Sequence, residues 1–245
     1  MRLLNKNIII LIVLLSLFSC GKDSACFKST GKIIKEQRLV SADVNSITTA
    51  DNIDIVLTQS ITPSLTLEGG ANLLPYINTD IEANELNISS DNKCGMFRDY
   101  NIPITAYLSL PNVANISYTG QGNITSANKL MYDKLIISSN GGTGNVELEV
   151  DVNEISIQQH SGPADFAIKG RANYSYIYTL GEGWFDQNSL KVNNVHVNHS
   201  GTGNVYVKPL IDLNIELRSS GDLIYSGSPN LKIAEHSGSG RIIKK

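Results

Sequence analysis

The sequence predicts an all-β chain wound into a β-helix, and two observations carry that prediction. The first is a phrase that recurs to the C-terminus: Gly120-Gln121-Gly122-Asn123-Ile124, Gly142-Thr143-Gly144-Asn145-Val146, Gly162-Pro163-Ala164-Asp165-Phe166, Gly181-Glu182-Gly183-Trp184-Phe185, Gly201-Thr202-Gly203-Asn204-Val205, Ser219-Ser220-Gly221-Asp222-Leu223 and Gly238-Ser239-Gly240-Arg241-Ile242. Its second small residue advances in steps of 22, 20, 19, 20, 18 and 19, and a period near twenty marks a solenoid. The second observation lies between the phrases. Val146-Glu147-Leu148-Glu149-Val150, Val195-His196-Val197 and Leu213-Asn214-Ile215-Glu216-Leu217 alternate apolar with polar residues. Alternation is the mark of a strand, and no run offers the 3.6-residue spacing of a helix.

Each repeat is then one coil of about twenty residues, with neighbouring coils about 4.8 Å apart. Glycine at the corner permits positive φ, and the Asn or Asp after it tolerates left-handed geometry and bonds its own backbone. Asn123, Asn145, Asp165, Asn204 and Asp222 therefore form a polar file. The residues that follow, Ile124, Val146, Phe166, Phe185, Val205, Leu223 and Ile242, are all apolar and form a core file.

In chain order, the N-terminus reads as a secretory signal over residues 1–19. Arg2 and Lys6 precede the apolar run Ile8 to Leu15, and Leu17-Phe18-Ser19-Cys20 follows. A basic start, a short apolar core and small residues before a cut are its parts, and the run is short for a bilayer span. The ending resembles a bacterial lipobox, which implies cleavage before Cys20 and diacylation of its thiol. Residues 20–38 read as a tether, in which Gly21-Lys22-Asp23-Ser24 resembles a surface-export tag with one acid. Residues 39–115 read as less regular opening coils that cap the solenoid, and 116–245 as the regular repeats. In the opening coils Ile53 to Leu57 and Leu65 to Leu67 flank a turn, and Met96 to Tyr100 form an insertion. Three cysteines occur in 245 residues. With Cys20 lipidated, an exported chain favours a Cys26–Cys94 disulfide over two free thiols.

The order of lipobox, Cys26-Phe27-Lys28-Ser29-Thr30-Gly31, Asp51-Asn52-Ile53-Asp54-Ile55, the segment Leu65 to Leu74 and then Gly-rich strands resembles the auto-transporter adhesin family with a head GIN domain, a group of uncharacterised bacterial exported lipoproteins. Asp51-Asn52-Ile53 stands where the Gly-Ile-Asn of the family's name falls. The resemblance spans the mature chain. It implies a right-handed parallel β-helix in the cell envelope.

Candidate chemistry is sparse. Glu147, Glu149 and Asp151 share an outward face, a pattern that invites a Ca²⁺ site. Corner alignment instead sets Lys169 beside Glu149, Arg171 beside Asp151 and Lys129 beside Asp151, a charge ladder with no metal. His160, His199 and His236 each stand four residues before a second small residue. They stack in one file two coils apart, with Thr179 and Leu217 between them. At roughly 9–10 Å that spacing disfavours a shared metal ion, and no catalytic triad is visible. The histidines read as corner residues bonding across the turn, and His196 points outward on its own. Trp184 replaces the polar corner residue and faces solvent. Tyr174, Tyr176 and Tyr178 share one face, either outward with it as a ligand platform or inward in place of Ile155 and Ile157.

A charged fraction of 18%, a hydrophobic fraction of 41% and a net charge of -3 suit a folded body and carry no nucleic-acid footprint. Removal of residues 1–19 takes the net charge to -5. The sequence therefore predicts a non-catalytic, adhesin-like or structural module of the envelope. It would be an outer-membrane lipoprotein on the periplasmic or cell-surface side, held to the membrane through Cys20. A glycan or protein partner fits it and no cofactor is called for. The alternatives are a polysaccharide-acting β-helix enzyme, which would need clustered acids and a free Arg or Lys base, and an oligomeric scaffold. At the last coil only Lys244-Lys245 follow Ile242-Ile243, and these lysines discourage end-to-end stacking.

Overall fold

The computed structural model describes residues 29–92 and 102–245. The signal segment, Cys20, the Lys22–Asp23 tag, the Cys26–Cys94 pair and the Met96–Tyr100 insertion lie outside the described residues.

Among the described residues, alternating side chains produce nineteen strands. The opening region supplies β1 (Ile33–Arg38), β2 (Ser46–Thr49), β3 (Ile53–Gln59), β4 (Ser64–Gly70), β5 (Ile77–Glu82), β6 (Glu85–Ser90) and β7 (Ile104–Leu110). The repeats supply β8 (Asn115–Tyr118), β9 (Ile124–Ser126), β10 (Lys134–Asn140), β11 (Asn145–Ser161), β12 (Asp165–Thr179), β13 (Phe185–Asp186) and β14 (Leu190–His199). They end with β15 (Val205–Val207), β16 (Pro209–Leu217), β17 (Leu223–Tyr225), β18 (Asn230–His236) and β19 (Ile242–Lys244). From β8 onward every pairing is parallel, as one coil laid on the next requires. The fold is a β-solenoid.

Two ladders run its length. In one, β3, β9, the first half of β11, the first half of β12, β13, β15, β17 and β19 follow each other. Its inward file is Ile55, Ile124, Val146, Phe166, Phe185, Val205, Leu223 and Ile242, the predicted core column extended one coil toward the N-terminus. Phe166 and Phe185 stack at 4.9 Å between ring centroids. In the other ladder, β2, β8, β10 and the second halves of β11 and β12 lead to β14, β16 and β18. There Ile116, Ile137, Ile157, Ile177, Val197 and Ile215 form a buried aliphatic file.

The corner glycines are needed for a different reason from the one their spacing suggests. Among those of the repeated phrase, only Gly162 has positive φ. The others stack directly over the preceding coil. A Cβ on Gly203 would lie 2.0 Å from the Gly183 carbonyl oxygen, one on Gly221 2.3 Å from that of Gly203, and one on Gly240 2.1 Å from that of Gly221. Hydrogen is the one side chain that fits such a backbone approach. The following Asn and Asp are likewise not left-handed, since Asp51 and Ala83 are the non-glycine positive-φ residues among those described. All but Asn145 cap the next coil through their side chains instead. Asp54 accepts from Asn123 N at 2.7 Å, Asn123 from Asn145 N at 3.0 Å, and Asp165 from Trp184 N at 2.7 Å. Asn204 accepts from Asp222 N at 3.0 Å and Asp222 from Arg241 N at 2.8 Å.

The opening coil is threaded rather than simply stacked. β2 lies between β6 and β8, and β3 between β7 and β9. β3 and β4, which flank a turn in sequence, are separated in space by β7. Antiparallel strands close this end: β4 on β7, β1 on β4, and β5 on β6. The edge strand β1 carries Lys35, Glu36 and Arg38, charges that discourage further strand pairing.

If carbonyl stacking is the constraint, Gly203→Ala lowers unfolding stability by about 3 kcal/mol through overpacking. Gly141→Ala, where an added Cβ meets nothing within 4 Å, costs only about 1 kcal/mol of left-handed strain. Urea midpoints of the two variants measure the difference, and equal losses would show that the close approach is not what matters.

Candidate functional site

Register decides which side of β12 its tyrosines take. Ile155 pairs with Ser175 and Ile157 with Ile177, so Ser175 and Ile177 face the core while Tyr174, Tyr176 and Tyr178 face out. The outward reading of the tyrosines is the one the structure takes. Each is flanked by polar groups: Glu154, Ser156 and Gln158 on β11, and Asn194, His196 and Asn198 on β14. The His196 ring packs on Tyr176 at 5.2 Å and the His160 ring on Tyr178 at 5.4 Å. Burial pushes the Tyr174 phenol above its ordinary pKa, with Glu154 and Tyr176 adding to the effect, so its hydroxyl remains a donor. Aromatic faces edged by amides and carboxylates suit a polyhydroxylated or peptide ligand.

A polar network extends the band across the next coils. His196 Nε2 lies 2.8 Å from Glu216 Oε1. Glu216 also bonds Arg218, which donates to Asn198 Oδ1 at 2.6 Å and to Glu235 Oε2 at 2.7 Å. The Arg218 hydrogen bond, followed by that of His196, holds the Glu216 carboxyl below its usual range. Sequence reasoning placed His196 outward but missed its Glu216 partner and the Arg218 that Glu216 bonds. The available signal was that His196 and Glu216 follow Gly183 and Gly203 at the same distance along the chain.

Trp184 is 58% exposed at its corner, while Phe185 beside it is buried. No ring contact joins Trp184 to the tyrosines among the described residues. It is a separate platform on an adjacent turn. The exposed Leu180 stands between the two in sequence.

The histidine file is corrected at one member. Thr179, His199, Leu217 and His236 do lie in register. Gln159, not His160, pairs with Thr179. The pairing of β10 with β11 shifts between Ser139 and Asn140, and this bulge turns His160 outward. The inward file instead satisfies corner backbone. Tyr118 OH donates to Gly122 O at 2.8 Å, Gln159 Nε2 to Ala164 O at 2.9 Å, and His236 Nε2 to Gly240 O at 2.8 Å. His199 Nδ1 accepts from Gly201 N at 3.2 Å. The bonding across the turn that the sequence predicts is therefore present at His199 and His236.

The acidic run pairs in part as expected. Glu149 is bridged by Lys169 at 3.5 Å, and Lys129 reaches Glu149 at 3.9 Å rather than Asp151. Arg171 lies beside Asp151 in register without an ion pair among the described residues. Glu147, Glu149, Lys169 and Asp186 border a shallow cleft of about 280 Å³. Among the described residues no three His, Cys, Asp or Glu side chains converge as metal ligands would.

Fold and surface together define an adhesin-like β-solenoid. Residues 43–229 match the family described as "Putative auto-transporter adhesin, head GIN domain", and the chain belongs to it. Among solved structures, a "putative adhesin" from Bacteroides fragilis is 24% identical, with 89% of this chain and 100% of that one covered and a TM-score of 0.81. A "Putative lipid binding protein" from Parabacteroides distasonis is 17% identical, with 89% and 99% covered and a TM-score of 0.68. A "putative adhesin" from Parabacteroides merdae is 20% identical, with 89% and 98% covered and a TM-score of 0.59. These likenesses show the fold. No curated protein is similar to the chain.

Burial lowers the His199 imidazole to about 4, against the opposing pull of the Gly203 carbonyl and Asp222. Its unfolded value is about 6.5, so protonation favours the unfolded chain. Stability is complete above pH 6.5 and falls as pH drops toward 4, by at most about 3 kcal/mol. His199→Leu, which places in the file the residue already found there at Leu217, is expected to flatten that part of a stability-against-pH curve measured by urea unfolding. An unchanged slope would show that His199 does not set it.

Proposed function

We propose that the chain is a lipid-anchored cell-envelope module that binds a glycan or protein through its outward aromatic band and has no catalytic activity. The observation that carries this reading is the outward row Tyr174, Tyr176 and Tyr178, with Trp184 nearby, on a scaffold whose backbone is locked coil to coil. Rigid rings on a preordered surface lose little entropy on binding. The family and the similar structures are described as adhesins or lipid-binding proteins, which supports a binding role over the polysaccharide-acting alternative. The lipobox ending at Cys20 supports attachment to the outer membrane, on its periplasmic or surface side.

A second reading, an end-to-end scaffold, is favoured by one observation. Leu231 and Ile233 on β18 are exposed, although their register partners Leu213 and Ile215 are buried. Sedimentation of the wild type beside Ile233→Lys distinguishes the two. A dimer lost in the variant supports the scaffold, and a monomer in both removes it.

Residues 21–245 on a glycan array are expected to bind. Tyr176→Ala or Trp184→Ala should weaken that binding about five- to ten-fold, the worth of one ring contact. Binding unchanged in both variants removes the band as the site. In cells, Cys20→Ser is expected to abolish incorporation of labelled fatty acid, and labelling that persists would sink the anchor.

A further inference from the structure

A different part of the coil carries a charge pattern that the fold itself does not use. Where the two ladders meet, Asp151 pairs with Arg171 and Arg171 with Lys191. Val192 pairs with Pro209, which sets Lys208 beside Lys191 on the next coil. Arg171, Lys191 and Lys208 thus stand on three successive coils, about 4.8 Å apart along the backbone. All three are exposed, and none makes an ion pair or side-chain hydrogen bond among the described residues. Asp151, half-buried at one end of the file, is its nearest carboxylate by register. Like charges directly opposite on neighbouring strands destabilise a sheet. Elsewhere on this solenoid the cations Lys129, Lys134, Lys169, Arg218 and Arg241 meet carboxylates on adjoining coils. Here that compensation is missing.

The surroundings of the file are aliphatic. Leu210 is 58% and Ile211 48% exposed directly after Lys208 and Pro209. Met131, 63% exposed, occupies the far end of the same file, because the Leu130–Val150 bridge sets it beside Asp151. Lys191, Lys208 and Leu210 line one open cleft of about 430 Å³ together with Asn188, Ser189 and Leu190. We propose that the Arg171, Lys191 and Lys208 file with Leu210 and Ile211 is a docking surface for an anionic lipid bilayer. The cations meet headgroup phosphates, and the aliphatic side chains enter the acyl boundary. An acidic polysaccharide would match the charges equally well. It would leave Leu210, Ile211 and Met131 without a role, since sugars stack on rings and the rings lie elsewhere on the coil. This surface does not depend on the lipid at Cys20 or on the aromatic band.

The test is flotation of the full chain with phosphatidylcholine vesicles, with and without phosphatidylglycerol. Whatever the N-terminal segment adds is shared by wild type and variants, so the change in the phosphatidylglycerol gain on substitution isolates the basic file. That gain is expected to fall about five-fold for each cation neutralised, and on the order of a hundred-fold in Arg171→Gln/Lys191→Gln/Lys208→Gln. It is also expected to fade with added salt. Leu210→Ser/Ile211→Ser weakens binding to the anionic vesicles while leaving the salt dependence in place. Without vesicles the triple variant melts at or above the wild-type temperature. A phosphatidylglycerol gain equal in wild type and triple variant overturns the proposal. So does binding of a soluble acidic polysaccharide in place of vesicles, or a lowered melting temperature, which would make the cations part of the fold's own stability.

Discussion

Contact between one coil's corner carbonyl and the next coil's glycine sets the geometry on which the remainder of this solenoid rests. At Gly183, Gly203, Gly221 and Gly240 the backbone of one turn sits where a side chain of the next would begin. Fixing that spacing fixes register, and register decides which alternate residues meet the core and which meet solvent. The His160 bulge shows how tightly this is enforced. The corner Gly162-Pro163-Ala164 comes five residues after the inward Gln159, while Gly183 comes four after the inward Thr179. The extra residue is absorbed in one irregular step of β11, and Val146 still faces Phe166 in the next coil.

The corners are held from two sides. Inside, Tyr118, Gln159, His199 and His236 bond backbone that would otherwise be buried without partners. Outside, Asp54, Asn123, Asp165, Asn204 and Asp222 cap the amide of the coil above. The file is broken at Asn145, where Asp165 N bonds the Gly144 carbonyl instead, and at Trp184. The Trp184 indole has a donor and no acceptor, so Trp184 receives a cap from Asp165 and passes none on to Asn204. A local rule broken by an exposed aromatic residue is where a binding role is expected.

Most of the solenoid was legible because its determinants are local and repeated. Glycine spacing gave the coil length, and strict alternation gave the facing of Phe185, Val146 and the three tyrosines once the register was known. The Lys169–Glu149 pair followed from the same alignment. What could not be read depends on contacts distant in sequence. Nothing near Ser60 tells β4 to leave β3 and join β7, because the choice is made by strands some forty residues on. His160 was misplaced because a bulge leaves no mark in composition. The role of the glycines was misjudged because a turn and a close stack select the same residue. The Glu216 partner of His196, and the Arg218 that bonds Glu216, were missed for want of a conformation for long side chains.

The threaded first coil has a consequence for the making of the protein. β2 and β3 need neighbours on both sides, and those neighbours, β6 through β9, come up to about seventy residues later in the chain. Segments made first therefore remain unfinished until residue 126 has followed them. Later turns are free of this wait, because each needs only its predecessor as a template. The order of synthesis and the order of assembly differ over the first half of the chain and coincide over the second.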